Sequence, residues 1–203
     1  MTTLSLKCKC GKVKGRATDI TPSSGNRVVC CCSDCQAFAA YLKIEADALD
    51  QFGGTDIFQM AQSQLTIEKG QDQLQAMRLT KAGLLRWYTS CCNTPVGNTI
   101  NATMPFVGVI HTFIDMPDRD KVLGPVRAFV QTQHARGVPD YPNHSAKFPL
   151  GITLRIVRKM AQWKLKGMQK PSVFFNDDGL PVVEPVIAEE IAADISHDVD
   201  TRG

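Results

Sequence analysis

Arg27-Val28-Val29-Cys30-Cys31-Cys32-Ser33-Asp34-Cys35 runs from a β-branched stretch into four cysteines within six residues, and its reading decides what kind of fold this chain can have. In an extended segment alternate side chains share a face, so Cys30 and Cys32 point one way and Cys31 the other. Cys35 returns after a turn. Three thiols therefore converge and leave one position of a tetrahedral zinc shell unassigned. Three protein ligands with an open fourth position are the catalytic arrangement of zinc, and four cysteines are the structural one. Cys31, facing away, reads as a small buried hydrophobe.

The same alternation in Lys7-Cys8-Lys9-Cys10-Gly11 puts Cys8 and Cys10 on one strand face, able to share a second metal. Cys91 and Cys92 are adjacent, so both reach one ion only through a bend, and Asn93-Thr94-Pro95 supplies the residues for one. A zinc joining Cys8 and Cys10 to that pair would staple distant segments. Much of its binding energy would then act as folding energy.

Length and composition narrow the setting. No apolar run approaches the ~18 residues that span a bilayer, and the start, Met1 to Lys7, has no charged n-region followed by an apolar h-region. The expected location is cytoplasmic, where eight clustered cysteines serve as thiolate ligands and not as disulfides. The net charge of +3 is too small to point to a nucleic-acid partner by itself.

Outward from the cysteines, the first hundred residues read as β-rich, with short runs Leu4 to Lys9, Lys12 to Ala17 and Arg27 to Cys31. Ser33 and Asp34 sit where a helix from Gln36 to Lys43 could be capped. Gln64 to Glu68, Gln73 to Leu79 and Leu84 to Tyr88 look like a meander, turning at Lys69-Gly70 and Ala82-Gly83 and ended by Asn93-Thr94-Pro95. Arg86-Trp87-Tyr88 reads as a core strand with an aromatic wall.

From Leu150 the period changes: Leu150, Leu154, Val157, Ala161, Leu165 and Met168 recur at three and four, which predicts one amphipathic helix. Ile152, Ile156 and Trp163 lie off that stripe, consistent with a wide buried face or a homodimer contact. Arg155, Arg158, Lys159, Lys164, Lys166 and Lys170 make the helix basic, with no acid between Lys147 and Lys170. Such a face could meet an anionic membrane surface, a nucleic acid or an acidic partner; a solvated polar face, or one neutralised by the acidic stretch Glu184 to Asp200, is the plainer reading. Ser172 to Phe175 and Pro181 to Val183 flank an Asp177-Asp178-Gly179 turn as a hairpin. His111, His134, His144 and His197 have no metal-ligand spacing.

Cys8-x-Cys10-Gly11-x-Val13, Cys30-x-Cys32-x-x-Cys35, Gly53-Gly54 and Cys92-Asn93-Thr94-Pro95, in that order, resemble the glutathione-dependent formaldehyde-activating enzyme (Gfa) and centromere protein V family over about residues 4 to 100. The resemblance implies a mainly β fold of β-tent-like zinc-binding sheets over residues 1–115. The remainder, 116–203, is then a C-terminal α/β extension, helix plus hairpin with an acidic tail, packed on that domain. It implies a structural zinc on Cys8, Cys10 and Cys92, with Cys91 as the fourth ligand through the bend. It implies a second zinc on Cys30, Cys32 and Cys35 as catalytic residues of a thiol-adduct reaction. Thr89 stands where the family carries a cysteine, Asn93 where it carries glycine, and Gln36-Ala37-Phe38-Ala39-Ala40 replaces a basic residue and a glycine pair.

The expected function is that of a zinc-dependent carbon-sulfur lyase-like protein binding a small thiol such as glutathione, or a thiol-aldehyde adduct, with weak turnover of glutathione itself. The alternative is a non-catalytic, zinc-stabilised interaction module that makes its contact through the basic helix.

Overall fold

The computed structural model describes residues 2–188. The chain order is β1 (Thr2–Lys7), β2 (Lys14–Ile20), β3 (Asn26–Cys30), α1 (Ser33–Leu42), α2 (Glu45–Ala48), β4 (Thr55–Met60), β5 (Leu65–Lys69), β6 (Leu74–Arg78), β7 (Leu85–Thr89), β8 (Pro95–Thr99), β9 (Val107–Ile110), α3 (Arg119–Leu123), β10 (Ala128–Val130), α4 (Leu150–Leu165) and β11 (Val186–Ile187). The fold is mainly β, as the short turn-punctuated runs predict, with a C-terminal helix. No helix among the described residues is long and apolar enough to cross a membrane.

Two sheets form, one of three strands in the order β1-β2-β5 and one of eight in the order β10-β3-β4-β9-β8-β7-β6-β11. Strand alternation gives the larger sheet two working faces. Phe58, Met60, Leu74, Ala76, Leu85, Trp87, Val96, Val107 and Val109 point toward the three-stranded sheet and pack with Leu4, Leu6, Ala17, Ile20 and Leu65. Ile57, Met77 and Ile110 point the other way and pack with Cys35, Phe38 and Leu42 of α1. Trp87 is fully buried at the centre of the first core, its ring 4.9 Å from Phe174 and 6.0 Å from Phe175, while its Nε1 donates to Thr99 Oγ1 at 2.8 Å. Those phenylalanines arrive on the expected hairpin, held by the Phe175–Pro181 bridge and the turn through Gly179, where φ is +81°.

The chain beyond residue 115 supplies both outer strands of the larger sheet. β10 pairs with β3 and β11 with β6, each in parallel, whereas every other pairing between these named strands is antiparallel.

Three sequence expectations are corrected here. The Gln64 to Tyr88 meander is split: β6 and β7 pair as a hairpin, but β5 leaves to pair with β2 in the other sheet. Asn93-Thr94-Pro95 does not end the sheet, because β8 begins at Pro95 and pairs back onto β7. Ser33 and Asp34 do not cap α1; Cys32 is the N-cap, and its Sγ accepts from the backbone N–H of Cys35 at 3.4 Å. The part of the acidic stretch from residue 189 onward, with His197, lies outside the described residues.

The helix from Leu150 forms, but its periodic stripe faces outward. Leu150, Leu154, Val157 and Leu165 are 73%, 59%, 58% and 89% exposed, whereas Trp163 is 6% exposed. Ile152 packs into the α1-side core. The off-stripe residues are therefore the docking face, since a stripe of leucines settles which residues share a face and not which face meets the body. Trp163→Ala is expected to cost about 3 kcal/mol and Leu165→Ala less than about 0.5 kcal/mol in urea unfolding followed by circular dichroism. The reverse order would place the stripe against the body.

Candidate metal centres

Cys8 and Cys10 come from the turn that joins β1 to β2, not from a strand as the alternation argument had it. Gly11, at φ +75°, donates its N–H to Cys8 O at 2.9 Å and folds the turn, and Val13 N–H donates to Cys8 Sγ at 3.2 Å. The two thiols end 3.6 Å apart. Their shared side was read correctly, but a knuckle produces it.

Cys91 and Cys92 lie in the turn after β7, where Asn93 takes a positive φ of 54° and donates its N–H to Thr89 O at 2.8 Å. That bend is the one the sequence suggested, and it brings both cysteines in. Cys91 Sγ lies 3.8 Å from Cys8, 3.4 Å from Cys10 and 3.8 Å from Cys92. All four thiols fall within 4.8 Å of one another, a group that could hold a metal ion. Lys9 N–H donates to Thr94 Oγ1 at 2.9 Å, a second tie between the two turns. Thr89, standing where the resembled family carries a cysteine, places its hydroxyl 3.5 Å from Cys92 Sγ. Burial opposes ionisation of Cys92, but the Thr89 and Thr94 hydroxyls and the Cys10 N–H outweigh it and lower its pKa to about 5. Burial, then hydrogen bonding with Cys10, raises Cys91 to about 12.

The second group is Cys30, Cys32 and Cys35, again within 4.8 Å of one another. Cys30 ends β3, Cys32 caps α1 and Cys35 sits in the first turn, where helix N–H groups favour negative charge. Hydrogen bonds with Cys30 and Cys35, then the Cys35 N–H and the Arg86 charge, lower Cys32 to about 2 against the cost of burial. Cys30 is pushed up by its bond to Cys32. In Cys35 a bond with Cys30 favours ionisation, but the bond to Cys32, burial and the Cys32 charge outweigh it and raise the pKa to about 12. One thiolate with protonated neighbours is a negative seat from which a divalent cation would displace the remaining protons. Cys31 is fully buried and belongs to neither group, and neither do His111, His134 and His144.

These three cysteines border a cavity of about 210 Å³ on the α1 side of the larger sheet. Its wall is a cross-strand row: Arg86 is paired with Asn98, Asn98 with Gly108 and Gly108 with Gln59. Gly108 matters because a Cβ there would meet Ile57 at 2.9 Å. Phe106, Phe148, Leu84 and Ile57 make the lining largely apolar, and Asp34 is its one carboxylate. Arg86, 2% exposed, bonds Asp34 at 3.2 Å and lies 5.5 Å over the Phe38 ring. Sequence reasoning had placed Arg86 in a core strand without assigning it a role at the site. Its signal was a charged residue alternating with Leu85 and Trp87, a pattern usually meaning a solvent face.

Residues 1–186 match the model of a family of unknown function (DUF6151), and the chain belongs to that family. No curated protein matches. Among solved structures the chain is similar to a protein of Rhodobacter sphaeroides, with 17% identity over 61% of this chain and 97% of the other, and a TM-score of 0.42.

Because both members of the adjacent pair reach the four-thiol group, Cys91→Ser and Cys92→Ser are expected to lose bound metal alike. Each should cost about 3 kcal/mol, roughly 10 °C in melting temperature, whereas Cys31→Ala keeps the full metal content. Metal analysis beside thermal melting checks this; a mild Cys91→Ser would leave Cys92 as the ligand alone.

Proposed function

We propose that this chain binds zinc at both cysteine groups and acts at the second as a carbon-sulfur lyase-like protein on a small thiol or its aldehyde adduct. The observation that carries the reading is a difference in ligand number. Four thiols at Cys8, Cys10, Cys91 and Cys92 complete a tetrahedral shell, while Cys30, Cys32 and Cys35 supply three thiols beside a cavity. All-thiolate sets favour zinc over the hard cations magnesium and calcium. The order of the motifs, which resembles the Gfa and centromere protein V family, supports the same assignment.

Cys30, Cys32 and Cys35 would hold the zinc, which would favour a sulfur donor in its thiolate form. The chain's own residues fit such a ligand. Arg86 offsets the negative charge that three cysteines and an incoming thiolate bring together, and burial keeps water from screening it. Phe106 and Phe148 give the substrate's carbon an apolar wall, and Asn98 and Gln59 offer amides to its polar atoms. Asp34, which borders the same cavity, is the carboxylate we assign to proton transfer. In the cleavage direction it takes the hydroxyl proton of a hydroxymethyl thioether, the carbon-sulfur bond breaks with its electron pair on sulfur, and the aldehyde leaves. In reverse the thiolate adds to the aldehyde carbon and Asp34 returns the proton.

The test is a cobalt-substituted protein titrated with cysteine, 2-mercaptoethanol and glutathione. The sulfur-to-metal absorption should respond to a small thiol, with glutathione weakest. Arg86→Met should keep two metals per chain and weaken the thiol about tenfold, or ~1.4 kcal/mol. Asp34→Asn should bind the thiol normally and slow aldehyde exchange, read by proton magnetic resonance, about 10²-fold or more. A spectrum indifferent to every thiol defeats the lyase reading. A non-catalytic interaction module then leads, and one observation of its own favours it: the outward stripe of α4.

A further inference from the structure

At about 100° per residue, Leu150, Leu154, Val157, Ala161 and Leu165 fall within about 80° of the α4 circumference. That stripe is centred roughly 200° from Ile152, Ile156 and Trp163, so it points straight away from the body. Over about 22 Å of helix it is an exposed apolar ridge.

Basic residues flank the ridge, Arg158 on one side and Lys164 on the other. Beside it lies a cavity of about 450 Å³ lined by Ser23, Leu154, Arg155, Arg158, Lys159 and Gln162. Arg155 is fixed there by Asn26 and the Gly25 carbonyl, neutral partners that leave its charge uncompensated. Among the described residues none of Arg155, Arg158, Lys159, Lys164 and Lys166 makes an ion pair. Burial, and then the neighbouring positive charges, lowers the pKa of Arg155 and Lys159.

The occupant must therefore offer apolar depth and negative charge together. In a symmetric antiparallel pairing of this face Arg158, at the helix midpoint, meets its own kind. Nucleic acid supplies charge but nothing for four exposed leucine and valine side chains. An anionic lipid surface supplies both, with acyl chains beneath a layer of phosphates, and a ridge on the outermost side of the molecule can lie on it without rearrangement.

We propose that the outer face of α4 docks the protein on an anionic membrane surface, with Leu150, Leu154, Val157 and Leu165 entering the acyl boundary. The groove of Arg155, Arg158 and Lys159 holds lipid phosphates. This surface is independent of either cysteine group.

The full chain is sedimented with vesicles of phosphatidylcholine and phosphatidylserine, roughly 7:3, and with phosphatidylcholine alone. Partition onto the anionic vesicles should exceed the neutral ones about tenfold and fall as salt rises. Leu154→Asp with Val157→Asp should abolish it with unchanged circular dichroism and metal content, as should Arg158→Glu with Lys166→Glu. Equal partition onto neutral vesicles, or none onto anionic ones, overturns the proposal. So does a dimer in solution that Leu154→Asp with Val157→Asp dissociates, which would assign the ridge to a second copy.

Discussion

Two turns meeting edge to edge hold this molecule's sheets in register at one end. The β1–β2 turn carries Cys8 and Cys10, the β7–β8 turn carries Cys91 and Cys92, and the thiols stand 3.4 to 3.8 Å apart in their nearest pairs. Thiols that close cannot all ionise without a cation, because each thiolate raises the cost of the next. Protons shared between sulfurs, or a metal, must settle the charge, and the larger core, with Trp87 at its centre, is built between the sheets these turns close.

The opposite face of the larger sheet solves a different problem. It must carry an arginine and two amides in a buried row, and it does so because α1 lies over one end of the row while Gly108 leaves the middle without a side chain. The helix contributes Cys35, Phe38 and Asp34 to the same place, so its start is structural and electrostatic at once. One alternating strand, β7, serves both faces: Leu85 and Trp87 fill the core between sheets, and Arg86 and Tyr88 face α1.

How much of this was legible follows from the range of each signal. Cys30, Cys32 and Cys35 could be grouped from spacing alone, because a strand end and a helix start are local geometry. Cys91 and Cys92 were half legible: Asn93 announced a bend, but only the contact with a turn some eighty residues away decides that both are used. The departure of β5 to the other sheet left no local mark, since its partner β2 lies far back in the chain. Arg86 was hidden by its pattern. In α4 the stripe predicted the helix correctly and its orientation wrongly, because Leu150, Leu154, Val157 and Leu165 are spaced for a core they do not enter.

The two parallel outer strands have a consequence for the order in which the protein can become safe. β3 and β6 lie early in the chain, yet each is covered on its outer side only by β10 and β11. During synthesis the β3 margin keeps its backbone donors and acceptors exposed until residues 128–130 have been made, and the β6 margin until the segment around Val186 has been made. Residues 1–115 thus leave both margins of the larger sheet for later segments to cover. Val186 and Ile187 close the β6 margin against pairing with a neighbour.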